Sequence, residues 1–248
     1  MAPLSVDDDY HHCSSNMTKL LLPKYLQKEK FGDFGHAWEH AEHHYMDKIR
    51  WMNPKQDNLT TEHGIAIHIY TDKTSKIYAS LNHDVRKGRD SYNRGHFSYH
   101  SLHFLLTDAV QRLNKGCVHT YRGTDLTFAP PKGEIRFGAF TSTSKDKARA
   151  LGFGTKTCFE ITTCHGAPIS KYSAFPNEQE VLIPPYEKFE VVSNPRTWPT
   201  QDCEVVYHLK STGTKSNLRC ALFGRGWQFR TYCLWLYLTF LYITFSFI

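Results

Sequence analysis

The chain has 248 residues, 40% hydrophobic and 22% charged, with a formal charge of +6. That length buries a substantial core without help from a metal, and the 14% aromatic content excludes a largely disordered chain. The positive charges are scattered rather than gathered into a stripe, which excludes a dense nucleic-acid surface and suits a small anionic ligand or a membrane surface.

In chain order, the start Met1–Tyr10 has neither a basic segment nor an apolar one, so it is not a secretory leader, and it reads as lying near a mature start. Lys19 to about Met52 predicts a helix: Trp38, Ala41, Tyr45, Ile49 and Met52 recur at steps of three and four, and Asn53-Pro54 stops it. On that helix His36, His40, His43 and His44 have a spacing compatible with a metal. No further ligand accompanies them, so a solvated face is the favoured reading. Gly64–Tyr70 alternates Ile65, Ile67 and Ile69 and predicts a strand or a short buried segment. Tyr99–Leu113 predicts a second amphipathic helix, with Leu102, Leu105, Leu106, Ala109, Val110 and Leu113 inward and Asn114-Lys115-Gly116 ending it.

From Cys117 the character changes. Strands are predicted at Cys117–Arg122, Ile135–Thr141, Thr157–Thr163, Glu180–Ile183, Phe189–Val192 and Glu204–Leu209, with Arg196–Asp202 as a surface loop. Helices followed by strands imply an α+β fold: an N-terminal helical half, then a two-sheet, mostly antiparallel β core. Tyr232–Ile248 is apolar and uncharged. It is shorter than the roughly 20 residues of a comfortable membrane span. It suits the tail of a glycosylphosphatidylinositol signal, with Ser216-Asn217 or Cys220-Ala221 as attachment candidates. A short tail anchor and a buried terminal strand are the alternatives. There are seven cysteines and no CxxC pair. Setting aside Cys233 in the apolar tail leaves an even number, suited to disulfides, and Asn16-Met-Thr and Asn58-Leu-Thr are glycan acceptor sequences. Together these point to the secretory lumen or the cell surface.

Three short elements carry chemistry. Tyr121-Arg122-Gly123-Thr124 ends a strand with a planar fork of donors suited to phosphate, and a glycine that lets a ligand approach the backbone. Alone, such an arginine is usually an ordinary surface charge. In Phe140-Thr141-Ser142-Thr143-Ser144, the hydroxyls of Ser142 and Ser144 share a face if the segment is extended; Ser144 also suits a cap for a helix at Lys145–Leu151. In Glu178-Gln179-Glu180, a strand would project both carboxylates together at the mouth of the core, an arrangement that costs energy unless a site uses it. A solvated strand end is the plain alternative. Gly152-Phe153-Gly154 with Lys156 lacks a nucleotide-loop pattern and reads as a loop beside the site.

In this order, Tyr-Arg-Gly, Phe-Thr-Ser-Thr-Ser and Glu-x-Glu-Val-Leu-Ile-Pro-Pro-Tyr resemble the vertebrate ecto-ADP-ribosyltransferases of the arginine-specific, R-S-E type. The resemblance runs from Val6-Asp7-Asp8 and Cys13 to Cys220, and is most specific from Cys164 to Tyr186. It implies a mono-ADP-ribosyltransferase domain over 1–222, helical over 17–115 and β-rich over 116–210, followed by the hydrophobic tail over 223–248. It implies NAD as co-substrate, with no permanently bound cofactor and no metal, and arginine in proteins or in small analogues as acceptor. Arg122 would hold the pyrophosphate. Ser142, with Ser144 beside it, would position the nicotinamide ribose and the catalytic glutamate. Glu180 would bond the ribose and stabilise the cation as nicotinamide leaves, and Glu178 would orient the acceptor guanidinium and help deprotonate it. Phe153 would lie against the nicotinamide, with Tyr70 and Ser173 as further NAD contacts. The implied disulfides are Cys117–Cys164 and Cys13–Cys220; Cys158 and Cys203, on two predicted strands, suit a third. NAD hydrolysis, with water as acceptor, and a catalytically silent surface module are the alternative activities. Glu178 argues against the first, and the intact Arg122, Ser142 and Glu180 against the second.

Overall fold

The computed structural model describes residues 2–49, 57–128, 133–192 and 202–222. The hydrophobic tail over 223–248, the loop 196–201 and the helix stop at Asn53-Pro54 lie outside the described residues. Among the described residues, no helix is long and apolar enough to cross a membrane.

The helical half contains α1 (Ser14–Leu21), α2 (Gln27–Glu29), α3 (Gly32–Ile49), α4 (Thr61–Thr71), α5 (Ile77–Lys87), α6 (Arg89–Arg94) and α7 (His100–Leu113). The helix expected from Lys19 to Met52 is therefore interrupted. Leu22–Leu26, which contains Pro23, forms a π-helical turn, and the chain breaks before restarting at Gly32, whose φ is +56°. Proline removes a backbone donor there and glycine accepts the left-handed angle. The buried stripe holds at Trp38, Ala41 and Tyr45. α7 is buried almost all round and is the central rod of the layer. Its first amides, on His100 and Ser101, donate to the two oxygens of Glu29 at 2.8 and 2.9 Å. A carboxylate there meets the unpaired amides of a helix start.

The segment Gly64–Tyr70 is helical, in α4, and not a strand. Every residue from His63 to Thr71 is buried, so apolar side chains are needed on all sides and the alternation carries no information about period. His63 fixes the start of α4: its Nδ1 accepts from the Thr60 amide at 3.0 Å and its Nε2 meets Asp108 of α7 at 2.9 Å. Gly64 allows α3 and α4 to pack closely, since a Cβ there would sit 2.0 Å from the Tyr45 ring.

The β half forms one seven-stranded sheet in the order β4-β5-β2-β1-β3-β7-β6. Its strands are β1 (Val118–Thr124), β2 (Thr141–Ser144), β3 (Thr157–Thr163), β4 (Ala167–Pro168), β5 (Glu180–Ile183), β6 (Glu187–Val191) and β7 (Val205–Thr214), with α8 (Lys147–Leu151) between β2 and β3. The pairs are antiparallel except β3 with β7. This corrects the expected two sheets to one and keeps its mostly antiparallel character. β1 is the middle strand, and β3 beside it joins it to the β7–β6 end. The strand expected over Ile135–Thr141 reduces to a single bridge, Ile135 with Phe189, ahead of β2. Gly138, at φ +70°, bends the chain, and its carbonyl is held by the Ser5 hydroxyl at 2.8 Å.

Among the described residues three disulfides form: Cys13–Cys220, Cys117–Cys164 and Cys158–Cys203. The N-terminal arm is buried with them. Asp7 pairs with Arg136 at 2.6 Å and Asp8 accepts from the Cys220 amide at 2.8 Å, so the N-terminal arm is tied both to the chain before β2 and to the segment around Cys220. A buried ion pair of this kind is tolerated only with further hydrogen bonds. Arg136 also donates to the Lys215 and Ala2 carbonyls.

Candidate active site

The site forms where β1, β2 and β5 meet the C-terminal end of α4. The register sets it: Ser142 stands opposite Leu182 and Ser144 opposite Glu180 across the β2–β5 ladder. Paired and alternate positions share a face, so Ser142, Ser144 and Glu180 project together. Below them Thr120, Thr143 and the Val181 carbonyl form a buried hydroxyl chain with two links of 2.8 Å, locking the three strands in place.

Arg122 reaches from β1 to β2 and donates through Nη1 to the Ser142 carbonyl at 2.6 Å. Burial pulls its guanidinium below the ordinary value, opposed by Tyr70 and Glu180. Ser142 lies beside both Glu180 and Tyr70, close enough to pull the Glu180 carboxyl and the Tyr70 phenol back toward their ordinary values. Glu180 is only 5% exposed. Burial pushes its carboxyl up to about 7, and Glu178 adds to the rise, against Ser142, Lys73 and Arg122. A group poised there is half ionised near neutrality, the condition in which active-site carboxylates are found.

Ser144 has a different task from the one its spacing suggested. Its hydroxyl donates to the Glu178 carbonyl at 2.6 Å and accepts from the Asp146 amide at 3.0 Å, so it is committed to backbone. The cap of α8 is Asp146, whose carboxylate accepts from Ala148 and Arg149. Glu178 and Glu180 do not share a strand face. Glu178 ends a 3-10 turn, Pro176–Glu178, Gln179 takes a left-handed φ of +49°, and β5 begins only at Glu180. One carboxylate is therefore buried and the other stands at the rim, paired with Lys73 at 2.5 Å.

Tyr70 is buried near the end of α4. Its hydroxyl donates to the Phe140 carbonyl at 3.1 Å and accepts from Asn82 at 3.0 Å, which fixes the entry to β2; burial pushes its phenol up to about 12. Ser173 is fully buried and supports the loop before Glu178: its hydroxyl accepts from the Phe175 amide at 3.0 Å and its carbonyl from Lys48 at 2.7 Å. Phe153, half exposed on the α8–β3 loop, faces Lys73. Gly123 is not an opening for a ligand. A Cβ there would lie 2.3 Å from the Gly154 carbonyl oxygen and 2.6 Å from that of Ala150, so the position is filled by the loop that carries Phe153. Sequence reasoning missed Lys73, Thr71 and Phe175, which act across long separations, and Asn82, which braces Tyr70 from the next helix; none of them belongs to a motif.

On α3 and α4, the His40 and His44 rings are 4.5 Å apart, His44 stacks on His68, and His40 lies 3.7 Å from Asp72. Among the described residues, no group of three or more His, Cys, Asp or Glu is arranged to hold a metal.

Comparison with known proteins adds to this geometry. The family model described as NAD:arginine ADP-ribosyltransferase matches residues 1–217. The GPI-linked NAD(P)(+)--arginine ADP-ribosyltransferase 1 of Mus musculus is 38% identical over 237 residues, covering 89% of this chain and 71% of that protein. Ecto-ADP-ribosyltransferase 5 of Homo sapiens is 39% identical, covering 77% of this chain and 70% of that protein. The crystal structure of the eukaryotic mono-ADP-ribosyltransferase ART2.2 superposes with a TM-score of 0.75 at 33% identity, over 88% of this chain and 96% of that one. A mutant of the same enzyme in complex with NAD matches equally well, at a TM-score of 0.75.

Proposed function

Because this chain belongs to the NAD:arginine ADP-ribosyltransferase family, we infer that it transfers ADP-ribose from NAD to arginine side chains, releasing nicotinamide. The observation that carries the reading is the different placement of two carboxylates: Glu180 buried beside Ser142, and Glu178 at the rim against Lys73.

In this reading Arg122 binds the pyrophosphate, an anion suited to its planar fork. Ser142 aligns Glu180 and the nicotinamide ribose, and Phe153 lies against the nicotinamide. Tyr70 and Ser173 support these groups from behind. As the bond from the ribose anomeric carbon to nicotinamide breaks, its electron pair leaves with nicotinamide and positive charge grows on the ribose. Ionised Glu180 stabilises that charge in a water-poor setting, where a fixed carboxylate is most effective. A guanidino nitrogen then bonds the anomeric carbon, and its proton passes through Glu178 to solvent. Ser144 keeps Glu178 in place through its backbone.

The test is incubation with labelled NAD and an arginine analogue, measuring free nicotinamide and ADP-ribosylated guanidine together. Formation of both supports the reading. Nicotinamide without modified guanidine would make water the acceptor.

We place the protein at the cell surface, in keeping with the GPI-linked and ecto- relatives, with the tail over 223–248 as a lipid-anchor signal. Exposed Asn16 and Asn58 suit glycan attachment there. Phosphatidylinositol-specific phospholipase C should release the protein from cells that export it. Retention beside a released anchored control would instead indicate a spanning tail.

A further inference from the structure

Lys73 follows α4 and projects into the rim of the site. Its ammonium meets Glu178 Oε1 at 2.5 Å and lies 5.0 Å from the ring centre of Phe153 and 4.9 Å from that of Phe175. Three chain segments thus converge on one cation: the turn after α4, the α8–β3 loop and the loop before β5. The convergence is built. The Ala174 amide donates to Thr71 Oγ1 at 2.8 Å, tying the Phe175 loop to the end of α4. Asp72 accepts from the Thr74 amide at 2.9 Å and shapes the turn that presents Lys73. Phe153 is 52% exposed and Phe175 38%, so the box opens to solvent and admits a group from outside.

A carboxylate flanked by two aromatic faces is a receptor for a guanidinium as much as for an ammonium. We propose that Lys73 occupies the acceptor's seat in the resting protein, so that an incoming arginine must displace it, and that Lys73 thereby sets the affinity and selectivity for the acceptor. The proposal rests on the assignment of Glu178 to the acceptor side. Lys73 contacts one oxygen of Glu178, whereas a guanidinium presents a planar fork to both. Lys73 is 51% exposed on its side chain, which makes it a competitor weak enough to be displaced. Small cationic groups without the fork, such as lysine side chains of other proteins, would gain too little to displace it.

The test is steady-state transfer to arginine methyl ester at saturating NAD, comparing the parent with Lys73→Met and Lys73→Arg. Removing the competing charge in Lys73→Met lowers the KM for the ester by roughly 3- to 10-fold, the range expected for one exposed ion pair with ring contacts. Lys73→Arg keeps a cation in the box and holds KM at or above the parent's. If Lys73 merely props Glu178 in place, Lys73→Met raises KM instead, and that result, or an unchanged KM, overturns the proposal. A parent protein that cleaves NAD yet modifies no ester overturns the acceptor assignment itself, a failure separable from that of Lys73.

Discussion

At Glu180, burial and three stabilising neighbours oppose one another, and burial prevails. The carboxyl titrates near 7 in the folded protein against an ordinary value of 4.5. A raised carboxyl pKa means the folded state binds the proton more tightly. Its contribution to stability is full below about 4.5 and is lost as pH rises through about 7, amounting to about 3 kcal/mol over that window. Glu180→Gln, which cannot ionise, should match the parent near pH 4.5 and be more stable above pH 7, as read by thermal unfolding across pH. Equal stability at pH 8 would mean that Glu180 is not desolvated as described. At this scale Arg122, Ser142 and Glu180 were legible because chemistry-bearing types sit in short motifs. The separation of Glu178 from Glu180 was not, because it depends on one left-handed residue, Gln179, that is neither glycine nor asparagine. Lys73 was hidden because its partners are 80 to 105 positions away and share no pattern with it.

At the scale of elements, α7, β3 and β5 were readable from periodicity and length, whereas α4 misled. A helix buried on every side has no polar face to mark its period, and three alternating isoleucines then imitate a strand. α5 and α6 were missed, although α5 buries Ile77, Leu81 and Val85 at helical steps; their polar surroundings hid that short stripe. The break in the long first helix, in contrast, follows from Pro23 and Gly32, residues visible in the sequence. At the site, β1 packs closely against the α8–β3 loop through Gly123. Gly123→Ala would drive a Cβ into two backbone carbonyls that cannot rotate away. It should destabilise the protein by about 1–3 kcal/mol, as overpacking does, and weaken NAD cleavage by displacing Phe153. An unfolding midpoint and nicotinamide release equal to the parent's would show that the loop yields freely.

For the whole molecule, the N-terminal arm is joined to the segment around Asn217 and Cys220 by Cys13–Cys220, which spans 207 positions, and by Asp7 and Asp8. The even cysteine count suggested disulfides; the pairing of Cys13–Cys220 and Cys117–Cys164 came from a family resemblance, and that of Cys158 with Cys203 from their place on two expected strands. Closing so long a loop restricts the unfolded chain strongly, so Cys13→Ala with Cys220→Ala should cost about 2–5 kcal/mol, measured by denaturant unfolding of the oxidised proteins. An unchanged midpoint would place the stability of the junction in the Asp7 and Asp8 contacts. The number of sheets was not legible, because strand pairing such as β3 with β7, the one parallel pair among the described strands, is set by distant segments.

In the reaction proposed above, Glu180 serves the donor and Glu178 the acceptor. The most direct measurement is nicotinamide release and arginine labelling, followed separately in Glu180→Gln and Glu178→Gln. Glu180→Gln should abolish both, a loss of about 3–4 kcal/mol in transition-state stabilisation, typical of removing one preorganised electrostatic group. Glu178→Gln should suppress labelling while nicotinamide release persists with water as acceptor. Near-normal NAD cleavage in Glu180→Gln, or labelling at the parent rate in Glu178→Gln, would contradict it.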